Sequence, residues 1–405
     1  MYPFVDGGIT APAGFTASGI HCGIRKNRTK KDLALILSDR PASAAAVYTQ
    51  NLVKGAPLTV TKEHIADGTA RAVVCNSGIA NTCAFDGIEK AEAMCRLTAG
   101  ALGLEAKDVA VASTGVIGPS IDLAPIEAGM PALAAALSPT GSGDAAEAIM
   151  TTDTRKKEFA VAFPMSGKTC TLGGIAKGSG MIAPNMATML GFLTTDAAIA
   201  PALLHDALLE VVGDTFNMLS VDGDTSTNDM VILLANGAAG APLVTEKNDD
   251  YAVFAAALRQ LCETICRALA ADGEGATKLL ECRVAGAASK KDARLIAKAV
   301  ASSSLLKAAM FGADANWGRV LCAIGYSGAA VDVQAVDVAF TSAAGTIDVC
   351  KNGAGIPVDE DKATAILKEN EIIIDMRLHD GEADAVAYGC DLTYDYVKIN
   401  GDYRS

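Results

Sequence analysis

Three short segments and four histidines hold the side chains that could do chemistry in this chain. Residues 177–197, KGSGMIAPNMATMLGFLTTDA, form its most unusual stretch, because small and polar residues interrupt an otherwise apolar run. Residues 222–229, DGDTSTND, have the carboxylate spacing of a calcium loop, but the sixth position is Thr227, where the sharp turn needs glycine. A turn whose Asp, Ser and Thr side chains bond their own backbone is the preferred reading, with a structural cation as the alternative. SGKT at 166–169 would close a phosphate loop, yet the first glycine of that loop falls on Ala162 and the segment reads as a hairpin. His21, His64, His205 and His379 form no metal-ligand spacing and no nucleophile-elbow motif. Covalent chemistry in such a chain calls for a base other than histidine.

The bulk composition limits the setting. At 405 residues and 50 % hydrophobic, the chain has material for two domains with sizeable cores. Aromatics are scarce at 5 % and glycines number 39, so the core is built from Ala, Val, Ile and Leu between tight turns. A net charge of −13 repels polyanions and argues against a nucleic-acid partner. The 11 cysteines are odd in number and contain no C-x-x-C pair, which points to a reduced, cytoplasmic protein. The first ten residues, MYPFVDGGIT, lack the features of a signal peptide. No apolar run reaches the roughly 18 residues of a membrane span.

The elements that would position chemistry alternate in kind. Residues 32–39, 71–81 and 108–118 read as strands, the last two running into Gly-rich turns. Residues 87–102 have helical periodicity, and further helices are expected over 124–137, 142–150, 201–212 and 251–270. Ser142 and Asp144 are candidate caps for the helix at 142–150. Residues 158–176 read as a hairpin, and strand-like runs lie at 229–235, 334–340 and 371–376. The mixture predicts an α/β or α+β protein. No linker divides it; a change of composition near 285 marks a soft boundary.

At KGSGMIAPNMATML the chain resembles the glutamate N-acetyltransferase/ornithine acetyltransferase family. The likeness spans nearly the whole sequence in family order: GGITAPAGFTASG, KKDLALILSD, YTQNLVKGAPL, VASTGVIG, IMTTDT, VDGDTSTND, DGEGATK, NWGR and the terminal YVKINGDYRS. Ile79, Phe85 and Ala315 depart from the pattern. The resemblance implies a self-processing, N-terminal-nucleophile-like α/β fold shared with serine aminopeptidases. Within it, 1–285 would be the catalytic core and 286–405 a smaller C-terminal domain whose tail returns to the site. It also implies a cut between Ala187 and Thr188, giving an α chain, 1–187, and a β chain, 188–405, assembled as an α2β2 heterotetramer.

The implied chemistry is coherent. A threonine hydroxyl is a weak nucleophile without an adjacent base. At a new N-terminus, Thr188 gains its own α-amino group, whose reference pKa is about 7.7–8.0. By the resemblance, the Thr114 hydroxyl and the Gly115 N–H stabilise the oxyanion; the alternative is an ordinary strand-ending turn. Thr154 (or Thr152), Lys177, Thr188, Glu274, Asn400 and Ser405 would bind substrate, with Lys177 on the α-carboxylate and Glu274 on the ornithine ammonium. A solvated surface charge is the alternative for Lys177 and Glu274. The expected reaction carries acetyl from N2-acetylornithine to L-glutamate through acetyl-Thr188, without metal or organic cofactor, and acetyl-CoA is a further candidate donor. The rival is a self-processed amidase or aminopeptidase that uses water as acceptor.

Overall fold

The computed structural model describes residues 1–27, 29–183 and 189–402. Ala187, Thr188 and Ser405 lie outside the described residues. The chain divides into two units. The first comprises Met1–Gly178, Asn185–Gly213 and Thr225–Ile265; the second comprises Ser179–Pro184, Asp214–Asp224 and Cys266–Ser405. The boundary expected near 285 therefore meets a different arrangement. Residue 285 lies inside a strand of the second unit, and the chain enters that unit for good at Cys266, within a helix.

Strands β1 (Phe4–Val5), β2 (Phe15–Ile20), β3 (Leu33–Tyr48), β4 (Thr69–Ile79) and β5 (Val109–Val116) open the chain. Next come β6 (Lys157–Met165), β7 (Lys168–Lys177), β8 (Leu190–Thr195), the short β9 (Leu219–Ser220) and β10 (Met230–Ala235). Among the described residues, all of these except β9 form one sheet, in the order β1-β6-β7-β8-β10-β3-β4-β5, with β2 also on β3. β3 is long enough to take two neighbours on one edge: Leu33–Ser38 pair with β2 and Ser43–Tyr48 with β10. Its middle, with Pro41 lacking an N–H donor, is where the pairing with β4 shifts register.

Strand alternation then sorts the core into two layers. Leu33, Leu35, Val74, Val109 and Val111 face one cluster; Ala34, Ile36, Val73, Ala110 and Ala112 face the other. Helices α1 (Ala56–His64), α2 (Gly87–Leu102) and α3 (Ala124–Ala135) accompany the first layer, and α4 (Ser142–Ala148) the second. Ser142 does not cap α4, because its hydroxyl accepts the Ile9 N–H at 3.0 Å and donates to Glu158 at 2.8 Å. α5 (Pro201–Asp214) carries His205 on its exposed side. α6 (Asp249–Ala271) packs closely on β7, where a Cβ at Gly174 would be 3.1 Å from Ile265.

The second unit is built on β11 (Leu279–Ala287), β12 (Asp337–Ser342), β13 (Gly345–Lys351), β14 (Ala354–Gly355), β15 (Glu371–Arg377) and β16 (Ala383–Cys390), with β9 at one edge. Its order is β14-β13-β12-β15-β11-β16-β9. α7 (Lys290–Ser302) covers β11 and β16, burying Ile296, Ala297 and Val300 against Leu280, Cys282 and Val284. α8 (Ser304–Phe311), α9 (Trp317–Gly325) and α10 (Glu360–Leu367) each start on a side-chain cap: Ser303, Asn316 and Asp359. α11 (Tyr394–Asp402) ends the described chain. All 11 cysteines are free thiols. Among the described residues, no helix is long and apolar enough to cross a membrane.

Candidate active site

In the first unit the site begins where two parallel strands end together. β4 and β5 run in register through Ser77 with Thr114 and Gly78 with Gly115. Gly115 has φ of +127°, and a Cβ there would lie 2.3 Å from the carbonyl carbon of Gly78. Only glycine fits both demands. Thr114 is almost buried, and its Oγ1 accepts from Lys177 Nζ at 3.4 Å.

Lys177 is the last residue of β7 and is itself buried. Burial pushes its pKa down, opposed by Asp153 and assisted by the charge of Lys157. Asp153 anchors this cluster. Its carboxylate accepts Lys157 Nζ at 2.6 Å, the Gly178 N–H at 2.7 Å and the Thr151 N–H at 3.0 Å. Burial alone would raise the Asp153 carboxyl, but Lys177, Lys157 and the Gly178 N–H outweigh it and hold the pKa at about 2. Thr152 and Thr154 flank Asp153 in the loop ahead of β6, the first half-buried and the second exposed.

The far half of DGDTSTND braces the strand end. Asn228 Nδ2 donates to Ala80 O at 2.6 Å and to Ser113 O at 3.0 Å, while Thr227 donates to Asn228 Oδ1 at 2.7 Å. Asn76 adds a second brace, accepting from Ser113 Oγ at 2.6 Å and donating to Ile79 O at 2.9 Å. Asp229 is buried, and burial pushes its carboxyl well above the usual range against the opposing effects of Ser226 and Lys177.

The second unit holds the other expected residues. Glu274 lies in the turn after α6, and Asn400, on α11, donates to Glu274 Oε2 at 2.8 Å. The Gly275 turn is tied to the start of α11 by Thr393, whose hydroxyl donates to Gly275 O at 2.7 Å. Asp222, at the near end of DGDTSTND, accepts the N–H groups of Met181 and Ile182 at 2.6 and 2.8 Å.

The structure thus gathers Thr114, Gly115 and Lys177 in the first unit, with the 152–154 loop beside Lys177's partner Asp153. It gathers Glu274 and Asn400 in the second. Sequence reasoning passed over Asp153, Lys157, Asn76, Asn228 and Asp229. Asp153 sits inside IMTTDT and Asn228 inside VDGDTSTND, so polarity within those segments was the available signal.

A strand-end hydroxyl and an obligatory glycine beside a buried ammonium can supply the kind of hydrogen-bond donors that acyl transfer on an α/β scaffold calls for. Comparison with known proteins gives the particular family. The ArgJ family model matches residues 16–405. The "Arginine biosynthesis bifunctional protein ArgJ" of Symbiobacterium thermophilum is 53 % identical over 404 residues, covering 99 % of this chain and all of that protein. Its namesake in Bacillus subtilis is 48 % identical over 403 residues, covering 99 % of this chain and 97 % of that protein. The crystal structure of the arginine biosynthesis bifunctional protein argJ from Bacillus halodurans is 46 % identical, with a TM-score of 0.50 over 52 % of this chain and 98 % of that one. This chain belongs to the ArgJ family.

Proposed function

We propose that this chain cuts itself between Ala187 and Thr188 and uses the new N-terminal threonine to carry acetyl from N2-acetylornithine to glutamate. Its family makes it an enzyme of arginine biosynthesis with glutamate N-acetyltransferase and ornithine acetyltransferase activity. The residue-level route is our reading. The observation that carries it is the 3.4 Å contact from Lys177 Nζ to Thr114 Oγ1, next to a glycine that tolerates no side chain. An ammonium has donors only. Thr114 Oγ1 therefore accepts from Lys177, which leaves its own O–H to donate to a developing oxyanion.

In the cut, Thr188 Oγ attacks the Ala187 carbonyl, its proton passes to the Thr188 nitrogen as the C–N bond breaks, and water hydrolyses the resulting ester to an Ala187 carboxylate and the free hydroxyl. In turnover, Oγ attacks the acetyl carbonyl and its proton passes to the α-amino group. The oxyanion is held by Thr114 and Gly115. Collapse releases ornithine, which takes the proton, and leaves acetyl-Thr188. The glutamate amine then attacks the ester, and Thr188 Oγ recovers its proton as N-acetylglutamate forms. Lys177 takes the substrate α-carboxylate and Thr154 or Thr152 a hydrogen bond. Glu274 takes the ornithine ammonium, with Asn400 and Ser405 completing the binding set; the Asn400–Glu274 bond supports that grouping. This route needs no metal or organic cofactor.

The 1–187 and 188–405 chains would assemble as α2β2 in the cytoplasm. Acetyl-CoA is the second donor to assay, read as CoA release in the presence of glutamate. The deciding experiment is intact-mass analysis of the purified protein, followed by ornithine release with and without glutamate. Two fragments meeting at 187/188, and release that accelerates with glutamate, support transfer. A rate indifferent to glutamate favours the amidase, in which water is the acceptor.

A further inference from the structure

Residues 179–182 run just ahead of the proposed cut, and the second unit holds each of them. Ser179 O accepts the Glu274 N–H at 2.8 Å. Gly180 lies against the Glu274 carboxyl, where a Cβ would be 2.4 Å from the carboxyl carbon. Asp222 takes the next two residues on one carboxylate: the Met181 N–H donates to Oδ2 at 2.6 Å and the Ile182 N–H to Oδ1 at 2.8 Å. The Val221 N–H returns a bond to Ile182 O at 2.6 Å, and Tyr396 O–H donates to the same carboxylate.

The backbone that presents these two N–H groups to one carboxylate is unusual. Met181 has φ of +54°, a region a methionine enters only when something holds it there. Its side chain is 44 % exposed, so core packing does not supply the hold. Ile182 stands five residues ahead of Ala187 in the sequence, and attack requires the reacting atoms to be held at about 3–3.5 Å.

We infer that Asp222 is a positioning residue for self-cleavage. By clamping residues 181 and 182 it holds the peptide ahead of the Ala187–Thr188 bond for attack by the Thr188 hydroxyl, and the role ends once that bond is cut. The inference rests on the cut proposed above. It also gives the near half of DGDTSTND a task distinct from the bracing done by Thr227 and Asn228.

The test follows freshly purified full chain by intact mass as fragments form, and measures kcat per cut chain afterwards. Asp222→Ala should slow cutting by about 100-fold, the effect of an ångström-scale misplacement. Asp222→Asn keeps one of the two acceptors and should slow cutting by about 10-fold; it carries the comparison where the alanine variant does not fold. The kcat per cut chain should stay within about threefold of wild type, since the clamp acts before turnover. Ser303→Ala, which destabilises the same unit without touching 179–182, should cut at the wild-type rate. Equal slowing by Ser303→Ala overturns the inference, as does a kcat that falls in step with the cutting rate. Wild-type cutting speed in Asp222→Ala overturns the clamp alone. A wild-type chain that stays whole overturns the cut and the clamp together.

Discussion

Gly115→Ala is the most direct probe of the strand-end site. The backbone there has φ of +127°, and the new Cβ would stand 2.3 Å from the Gly78 carbonyl carbon and 2.4 Å from its oxygen. Carbon atoms normally settle at about 3.5–4 Å, so the strand end must move by roughly an ångström. The left-handed backbone adds about 1–2 kcal/mol of strain for a residue with a Cβ, and overpacking adds about 1–3 kcal/mol. Movement also takes the Gly115 N–H off its proposed target, the oxyanion. Losing one oxyanion donor lowers kcat by about 100- to 1,000-fold. The assay is steady-state transfer from N2-acetylornithine to glutamate, with thermal unfolding measured on the same sample. The expected result is a kcat down by at least about 100-fold, with KM far less affected because the lost bond is made in the transition state. A folded Gly115→Ala enzyme with kcat within about threefold of wild type would refute the oxyanion assignment.

Three further outcomes are expected. Thr188→Ala should remain a single 405-residue chain by mass and release no ornithine from N2-acetylornithine, whereas Thr188→Ser should still be cut; fragments from the alanine variant would rule out Thr188 as nucleophile. Asp153 has its folded pKa lowered from 3.8 to about 2, so its contribution, roughly 2–3 kcal/mol, is present above pH ~4 and lost as pH falls through the folded value. Asp153→Asn should therefore lower the melting temperature strongly at pH 7 and much less near pH 2.5, and an equal drop at both values would contradict the charge network. Ser303→Ala removes the side chain that accepts the Leu306 N–H at 3.3 Å at the start of α8, and should cost about 1 kcal/mol by denaturant unfolding without changing kcat.

Local signals were legible in the sequence and long-range ones were not. The helix expected over 87–102 is α2 at the same bounds, because Gly103 takes the left-handed C-cap that stops it. The hairpin expected over 158–176 is β6–β7, turning on Ser166 and Gly167 with φ of +47° and +74°. By contrast, the strand expected to end at Asp39 continues to Tyr48. Charges and Pro41 look like an ending, but in the sheet they mark only the point where β3 exchanges β2 for β10. β8 was hidden in the mixed run 177–197, since six buried residues beside small ones show no period of two. Among the candidate residues, motif order brought out Thr114, Gly115 and Lys177 in the first unit and Glu274 and Asn400 in the second. Asp153 and Asn228 act on partners 24 to 148 residues away, such as Lys177 and Ala80, and no local pattern encodes such pairings.

The two most distinctive segments share a further property: each lies where the chain passes from one unit to the other. In KGSGMIAPNMATML, Lys177 and Gly178 belong to the first unit and Ser179–Pro184 to the second. In VDGDTSTND the crossing falls between Asp224 and Thr225. The two halves of each segment therefore answer to different partners. Lys177 and Gly178 serve Thr114 and Asp153, whereas Met181 and Ile182 serve Asp222. Thr227 and Asn228 serve the strand end at Ser113, whereas Asp222 serves the peptide ahead of the proposed cut. A crossing residue cannot drift along its motif without losing bonds on one side or the other. Side-chain bonds on both sides of each crossing thus do, for the described residues of these runs, what helix and strand pairing do elsewhere.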